Sequence, residues 1–230
     1  MKKIMFKDKF LLTQAVLEGR KTQTRRLIKC RKTFKGEWVA RFNIHIRPSD
    51  KKVVGLPCMY DADESEFDGG EILPKYRVGE VVAVAQSYCS IADELENCNN
   101  ATCAAHYEKN VQKASEYISW MEHPGFNNKM FVAADNMLHQ IRITDVRVEK
   151  LQDISDEDCI KEGVELNTRQ YEYDGTKYYC VRGLGYWRGF GCTNFHTPRE
   201  AFAALIDKVS GKGTWERNPY VFVYDFELVK

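Results

Sequence analysis

The chain has 230 residues, 43% of them apolar and 29% charged, enough for one sizeable core or two small ones, which excludes a disordered or fibrous protein. Thirty-four basic residues against thirty-three acidic ones leave a formal charge of +1, so overall charge selects no partner. The longest unbroken apolar run, Ala201 to Ile206, is far short of the ~20 residues of a membrane span, and the basic start lacks the apolar stretch of a signal peptide; a cytoplasmic protein with no membrane partner is expected.

Taken in chain order, residues 3–6 predict a short strand, and Phe10, Leu11, Gln14, Ala15 and Leu17 fall at near-helical spacing, so a helix over Asp8–Glu18 ends at Gly19. Residues 36–76 carry three prolines, a Gly69-Gly70 pair and an acidic run; they read as a loop system with one strand near Trp38–Ile46. Val78–Ala85 suits a buried strand. Asn97–Lys129 is polar, with a helix expected across residues 107–121. Gln140–Glu149 alternates with a period of two and breaks near Thr144–Asp145, which predicts a bulged strand or a strand pair. Ser155 and the acids after it cap a short helix at 156–162 that Gly163 stops. Asp174-Gly175 between aromatic β-formers predicts a hairpin over Tyr171–Tyr179. Thr197-Pro-Arg-Glu200 is a capping box for a helix over 198–209, and Tyr220–Val229 is a closing strand.

Charge is uneven along the chain. Arg20 to Lys35 holds eight Lys or Arg and no acid, whereas Asp61 to Glu71 holds six acids and no base, so one local surface should be strongly positive. Among eight cysteines, Cys89, Cys98 and Cys103 with His106 have ligand-like spacing, but they lack the tight Cys-x2-Cys pair usual in structural zinc sites. They read as ordinary thiols, and no metal or cofactor is expected. Gly183-Leu-Gly-Tyr-Trp-Arg-Gly-Phe-Gly191 has the wrong spacing for a dinucleotide fingerprint. The aromatics from Tyr171 to Phe195 are better explained by hairpin packing than by base stacking.

The most informative stretch is Gly19-Arg-Lys-Thr-Gln-Thr-Arg-Arg26. Backbone amides near a glycine turn, flanked by Lys and Arg, suit a phosphate or a polarised carbonyl oxygen. Lys21 and Thr24 are three apart; they face opposite ways on a strand but share a pocket from a bent loop, and their place after Gly19 favours the loop. Gln86 and Tyr88 leave the Val81–Ala85 strand where they could read a base edge.

In these residues the chain resembles the ASCH family, a branch of the PUA-like β-barrel superfamily whose signature is Gly-x-Lys followed closely by Arg. Gly19, Lys21, Thr22, Thr24 and Arg26 fit the form seen in its small bacterial amidohydrolases, which remove the acetyl group of N4-acetylcytidine. Gly79–Val84, the strand and acidic helix over 140–162, and Val221–Phe226 follow in matching order. Leu17–Arg26 and Leu151–Cys159 look still more like long ASCH proteins of phages and prophages. The resemblance implies an α+β fold: one domain over 1–230, a small PUA-like barrel with flanking helices and insertions at 30–76, 86–138 and 165–196. It also implies a lysine base at Lys21, a threonine nucleophile at Thr24 and a glutamate acid at Glu162, with Glu157 and Asp158 as neighbouring carboxylates.

Elementary chemistry is compatible with that trio. A threonine hydroxyl needs a neighbouring base, and a lysine serves as one when burial and nearby cations such as Arg20, Arg25 and Arg26 lower its pKa. The alternatives are that Lys21 pairs with a phosphate or an acid, Thr24 caps a turn, and Glu162 is a solvated helix residue. Three functions follow as expectations: binding of RNA or a modified nucleoside in a basic cleft, amidohydrolysis of an acylated nucleoside, or a phage accessory protein that binds a host protein.

Overall fold

The structure, a computed structural model, describes residues 1–50, 52–96, 121–168, 172–173, 175–185 and 193–229. The fold is mixed α+β. Strand β1 (Lys3–Ile4) leads into a 3-10 turn at Asp8–Phe10 and helix α1 (Leu12–Leu17). The expected single helix is thus divided: Leu11 adopts a left-handed φ of 50°, which turns Phe10 and Leu12 both into the core. Strand β2 (Gln23–Leu27) follows after a turn.

Next come a small hairpin, β3 (Thr33–Phe34) with β4 (Glu37–Trp38), and an antiparallel sheet of β5 (Arg41–Ile46), β6 (Val53–Tyr60) and β7 (Glu66–Glu71). A loop system was expected here, so this is a correction. Its irregular pairing and glycines mask the period-two pattern, yet Ile44 buries in the main core with Phe42, Val53 and Leu56 packed at its margin.

The chain continues through β8 (Val81–Val84), α2 (Tyr88–Glu96), β9 (Gln140–Lys150), α3 (Asp156–Lys161), β10 (Glu165–Leu166), β11 (Tyr179–Cys180), α4 (Pro198–Ser210), α5 (Thr214–Arg217) and β12 (Tyr220–Val229). The expected bulge in β9 is real. Asp225 pairs with Asp145 and Phe226 with Ile143, which leaves Thr144 as the extra residue. Ser155 caps α3 by accepting from the Asp158 N–H, and Thr197 with Glu200 forms the expected capping box of α4.

The hairpin expected over Tyr171–Tyr179 is corrected in part: Tyr179 pairs with Leu166, and Glu172–Tyr173 are helical, while Tyr171 and Asp174 lie outside the described residues. The helix expected over 107–121 falls almost wholly outside them as well. No helix among the described residues is long and apolar enough to cross a membrane.

The main sheet has the order β1-β8-β9-β12-β2, antiparallel except for β1 with β8. Helix α4 buries Ala201, Phe202, Leu205 and Ile206, a stripe at helical spacing that joins Val221, Val223, Ile141 and Ile143 in the core. Among the described residues no ladder joins β1 to β2, so the sheet is open and is not a closed barrel. Side-chain contacts span the opening; in one, Arg26 Nη2 donates to Met5 O at 2.7 Å.

Candidate functional site

The first correction concerns the loop expected for Arg20–Arg26. After the turn at Glu18–Gly19 only Arg20–Thr22 remain a short connection; Thr24, Arg25 and Arg26 lie on β2, an edge strand paired with β12. The connection is fixed from two sides, with Lys21 N–H donating to Ala15 O and Thr22 N–H to Lys161 O. Helix α3 ends at Glu162, whose N–H still bonds Asp158 O, and Gly163 then reverses the chain at φ 104°. A Cβ at Gly163 would lie 3.1 Å from Leu12 Cδ2, so a glycine here also lets α3 approach α1 and Lys21 closely.

That approach joins Lys21 to Glu162. Both residues are buried, at 2% and 4% exposed. The Lys21 ammonium donates to Glu162 Oε2 at 2.6 Å, Glu162 O at 2.8 Å and Gln23 O at 2.7 Å, which uses all three of its protons. Its Nζ also sits 5.7 Å from the centre of the Phe6 ring. Burial lowers the Lys21 pKa below the ordinary 10.5; the Glu162 carboxylate opposes this, and Arg26 and Arg25 add to it.

Arg25 holds the same carboxylate from the other side. Its guanidinium donates to Glu162 Oε1 at 3.4 Å, Glu149 Oε2 at 3.1 Å and Asp158 Oδ2 at 3.1 Å, and it bonds Gln23 Oε1. Gln23 in turn donates to Asp225 Oδ1 at 2.6 Å, and Arg147 bridges Glu149, Asp158 and Asp225. Burial would raise the Asp158 carboxyl, but Arg25, Lys161 and Gln23 outweigh it and hold the group below its ordinary value. This network ties β2, β9, β12 and α3 together around Glu162.

A cavity of about 590 Å³ opens beside the pair, bordered by the residues that follow β1 and by β2. Lys21, Thr24, Arg25, Arg26 and Glu162 line one side. Phe202, Leu205, Ile206 and Val209 of α4 supply an apolar wall. The size and the mixture of apolar wall and few polar groups are those of small-molecule sites. The Thr24 hydroxyl makes no hydrogen bond to any described residue, although Thr24 is only 5% exposed. Lys7 and Lys29, both exposed, and Arg26 also line the cavity, with no carboxylate at ion-pair distance among the described residues.

Sequence reasoning thus brings Lys21, Thr24 and Glu162 to one cavity, whereas Glu157 is exposed and Asp158 belongs to the arginine network. The other proposed contacts divide. Arg26 faces the cavity, its guanidinium 5.6 Å from the Phe6 ring centre. Arg20 turns to Glu18 and Glu165, and Arg25 is consumed by its acids, so neither is the free phosphate contact that the uneven charge suggested. Glu18 beside Arg20 and acids distant in sequence neutralise them.

Gln86 and Tyr88 are corrected too, since neither lines the cavity. Gln86 is buried, donating to Glu94 and accepting from Leu138 N–H; Tyr88 packs in a second core cluster and its hydroxyl accepts from Asn136. Of the cysteine cluster, Cys89 is on α2 with its thiol 3.7 Å from Asp93, and Cys98, Cys103 and His106 lie outside the described residues. Sequence reasoning missed Phe6, Gln23, Arg147 and Asp225. The one available signal was an acid, Asp225, set inside the apolar run Val221–Phe226.

Compared with protein-family models, with curated proteins and with solved structures, the chain matches none.

Proposed function

We propose that this cavity is the active site of an ASCH-type amidohydrolase, built on a PUA-like arrangement, that removes the acyl group from an acylated nucleoside such as N4-acetylcytidine. The observation that carries the reading is the Thr24 hydroxyl, free of any described partner, on the same cavity wall as the buried Lys21–Glu162 pair. A structural ion pair alone does not call for an unbonded hydroxyl beside it.

The pair shares one acidic proton, which is what the reaction needs. With the proton on Lys21 the two are an ion pair; moved to Glu162, it leaves a neutral amine and a carboxylic acid. Burial favours the neutral amine of Lys21, and the Glu162 carboxylate beside it favours the ammonium. The neutral Lys21 amine turns its lone pair to Thr24 and takes the hydroxyl proton as the oxygen attacks the acyl carbon. The C–N bond breaks as Glu162 gives its proton to the departing amine. Water then releases the acyl group from Thr24 as a carboxylic acid and restores the Thr24 hydroxyl, while the pair, having taken the hydroxyl proton as it gave one to the amine, keeps one proton throughout. Arg26 is the cation available to the developing oxyanion.

The test is turnover of N4-acetylcytidine and a panel of acylated nucleosides by the wild type, Thr24→Val, Lys21→Met and Glu162→Gln. Turnover lost in all three variants, with ligand binding retained in Thr24→Val, is the expected result. A wild type that binds these nucleosides but turns over none of them would overturn the catalytic reading.

One observation favours a second reading, binding of RNA or a modified nucleoside without hydrolysis. Among the described residues, no acid is paired to Lys7, Arg26 or Lys29 at the cavity border, as a phosphate-bearing ligand would require.

A further inference from the structure

The sheet β5-β6-β7 carries a second chemical grouping, independent of the cavity. The ligand atoms of His45, Cys58 and Glu66, one residue from each strand, all lie within 4.8 Å of one another. Register explains why. Asn43 pairs with Cys58 and Tyr60 with Glu66, and cross-strand partners share a face; His45 lies two residues beyond Asn43 and Tyr60 two beyond Cys58, so all five side chains belong to one face.

Both ladders shift register next to these residues. β6 spends three residues, 55–57, between Val54 and Cys58 where β5 spends only Ile44 between Asn43 and His45. Gly55, at φ 76°, permits the bulge. On β7 the shift falls between the partners of Cys58 and Tyr60. Bulges of this kind re-aim side chains, and two of them flank one thiol.

We propose that His45, Cys58 and Glu66 bind a divalent, borderline-soft cation of the zinc class. A thiolate, a neutral imidazole and a carboxylate make a mixed S, N, O set of charge −2, suited to zinc and too soft for magnesium or calcium. Three protein ligands leave a fourth tetrahedral position for water or for a group from a partner. Tyr60 supports the set from outside: its hydroxyl donates to Glu66 Oε2 at 3.0 Å and orients the carboxylate. His45 Nε2 lies 3.6 Å from the same oxygen, so ring and carboxylate already converge.

The same residues do not make a cysteine nucleophile. That role needs an imidazole placed to take the thiol proton, whereas the Cys58 thiol is set against Leu56 O and the Glu66 carboxylate. A cation is what would bring thiol, imidazole and carboxylate into one function. It would also pin the register of three strands joined by irregular ladders.

The test uses the full chain, stripped with a chelator and titrated with zinc alone, then with cobalt as a spectroscopic substitute. One equivalent of zinc is expected, weakened roughly tenfold or more in His45→Ala, Cys58→Ser and Glu66→Gln but unchanged in Cys89→Ser. The cobalt form should show a thiolate charge-transfer band that Cys58→Ser lacks. Should Cys58→Ser fail to fold, survival of that band in Cys89→Ser would support the assignment and its loss there would overturn it. A wild type that binds no zinc, or a folded Cys58→Ser that binds it undiminished, would also overturn it.

Discussion

Lys21 Nζ lies 2.6 Å from Glu162 Oε2, a contact between residues 141 positions apart, and both side chains are buried. Two charges taken out of water are tolerated only when each is satisfied. Lys21 has three acceptors, and Glu162 has Lys21 on one oxygen and Arg25 on the other.

Breaking the pair from one side should therefore cost more than removing it. Glu162→Gln or Lys21→Met alone is expected to destabilise the fold by about 3–5 kcal/mol, because the remaining charge loses its partner. The double variant should lose clearly less than the sum of the two. Urea unfolding of all four proteins measures the coupling; strict additivity would mean that the two groups do not depend on each other.

Thr24→Val separates chemistry from structure. The hydroxyl has no hydrogen bond to a described residue to lose, and valine keeps its shape, so stability should change by less than about 1 kcal/mol. Turnover should fall at least about a thousandfold, as when a nucleophile is removed from other hydrolases. A variant that unfolds readily would instead assign Thr24 to packing.

The lowered pKa of Lys21 gives a pH dependence with a definite sign. Between its folded value and the ordinary 10.5, the unfolded chain carries more protons on this residue than the folded one. Its contribution to stability therefore rises with pH across that window and is lost as pH falls through it. The difference between wild type and Lys21→Met in unfolding free energy, measured at several pH values, isolates the effect. Turnover should fall at the top of that window, because a pair that has lost its shared proton has none to give the departing amine.

Salt dependence discriminates the RNA reading. If Lys7 and Lys29 contact phosphates, each replacement by alanine should reduce the slope of log affinity against log salt by about 0.7 for a single strand. Arg20→Ala should change it far less, since Glu18 and Glu165 already neutralise that guanidinium. Equal effects at all three positions would mean that those ion pairs do not persist when RNA binds.

Local signals carried the local structure. The bulge at Thr144, the caps at Ser155 and Thr197 and the closing strand were all legible, because periodicity and capping depend on neighbours a few residues away. The sheet β5-β6-β7 was not legible, since its bulges interrupt the alternation by which a strand is recognised. Helix α2 was missed as well, although Ser87 caps it by accepting from the Ser90 N–H at 3.2 Å.

At the site, the sequence supplies the chemistry on offer: a lysine, a threonine and arginines crowded behind Gly19, and acids gathered at 156–162. It could also name Lys21, Thr24 and Glu162 through resemblance. Packing then sets the surroundings of each group. Placing α3 against β2 converts Arg25 from a surface cation into the partner of three carboxylates, while leaving Arg26 and Thr24 toward the cavity. The physical reason is that a side chain's charge, exposure and pKa are set by atoms within a few ångströms, and the atoms that surround Lys21 come from positions 6, 23, 25 and 162.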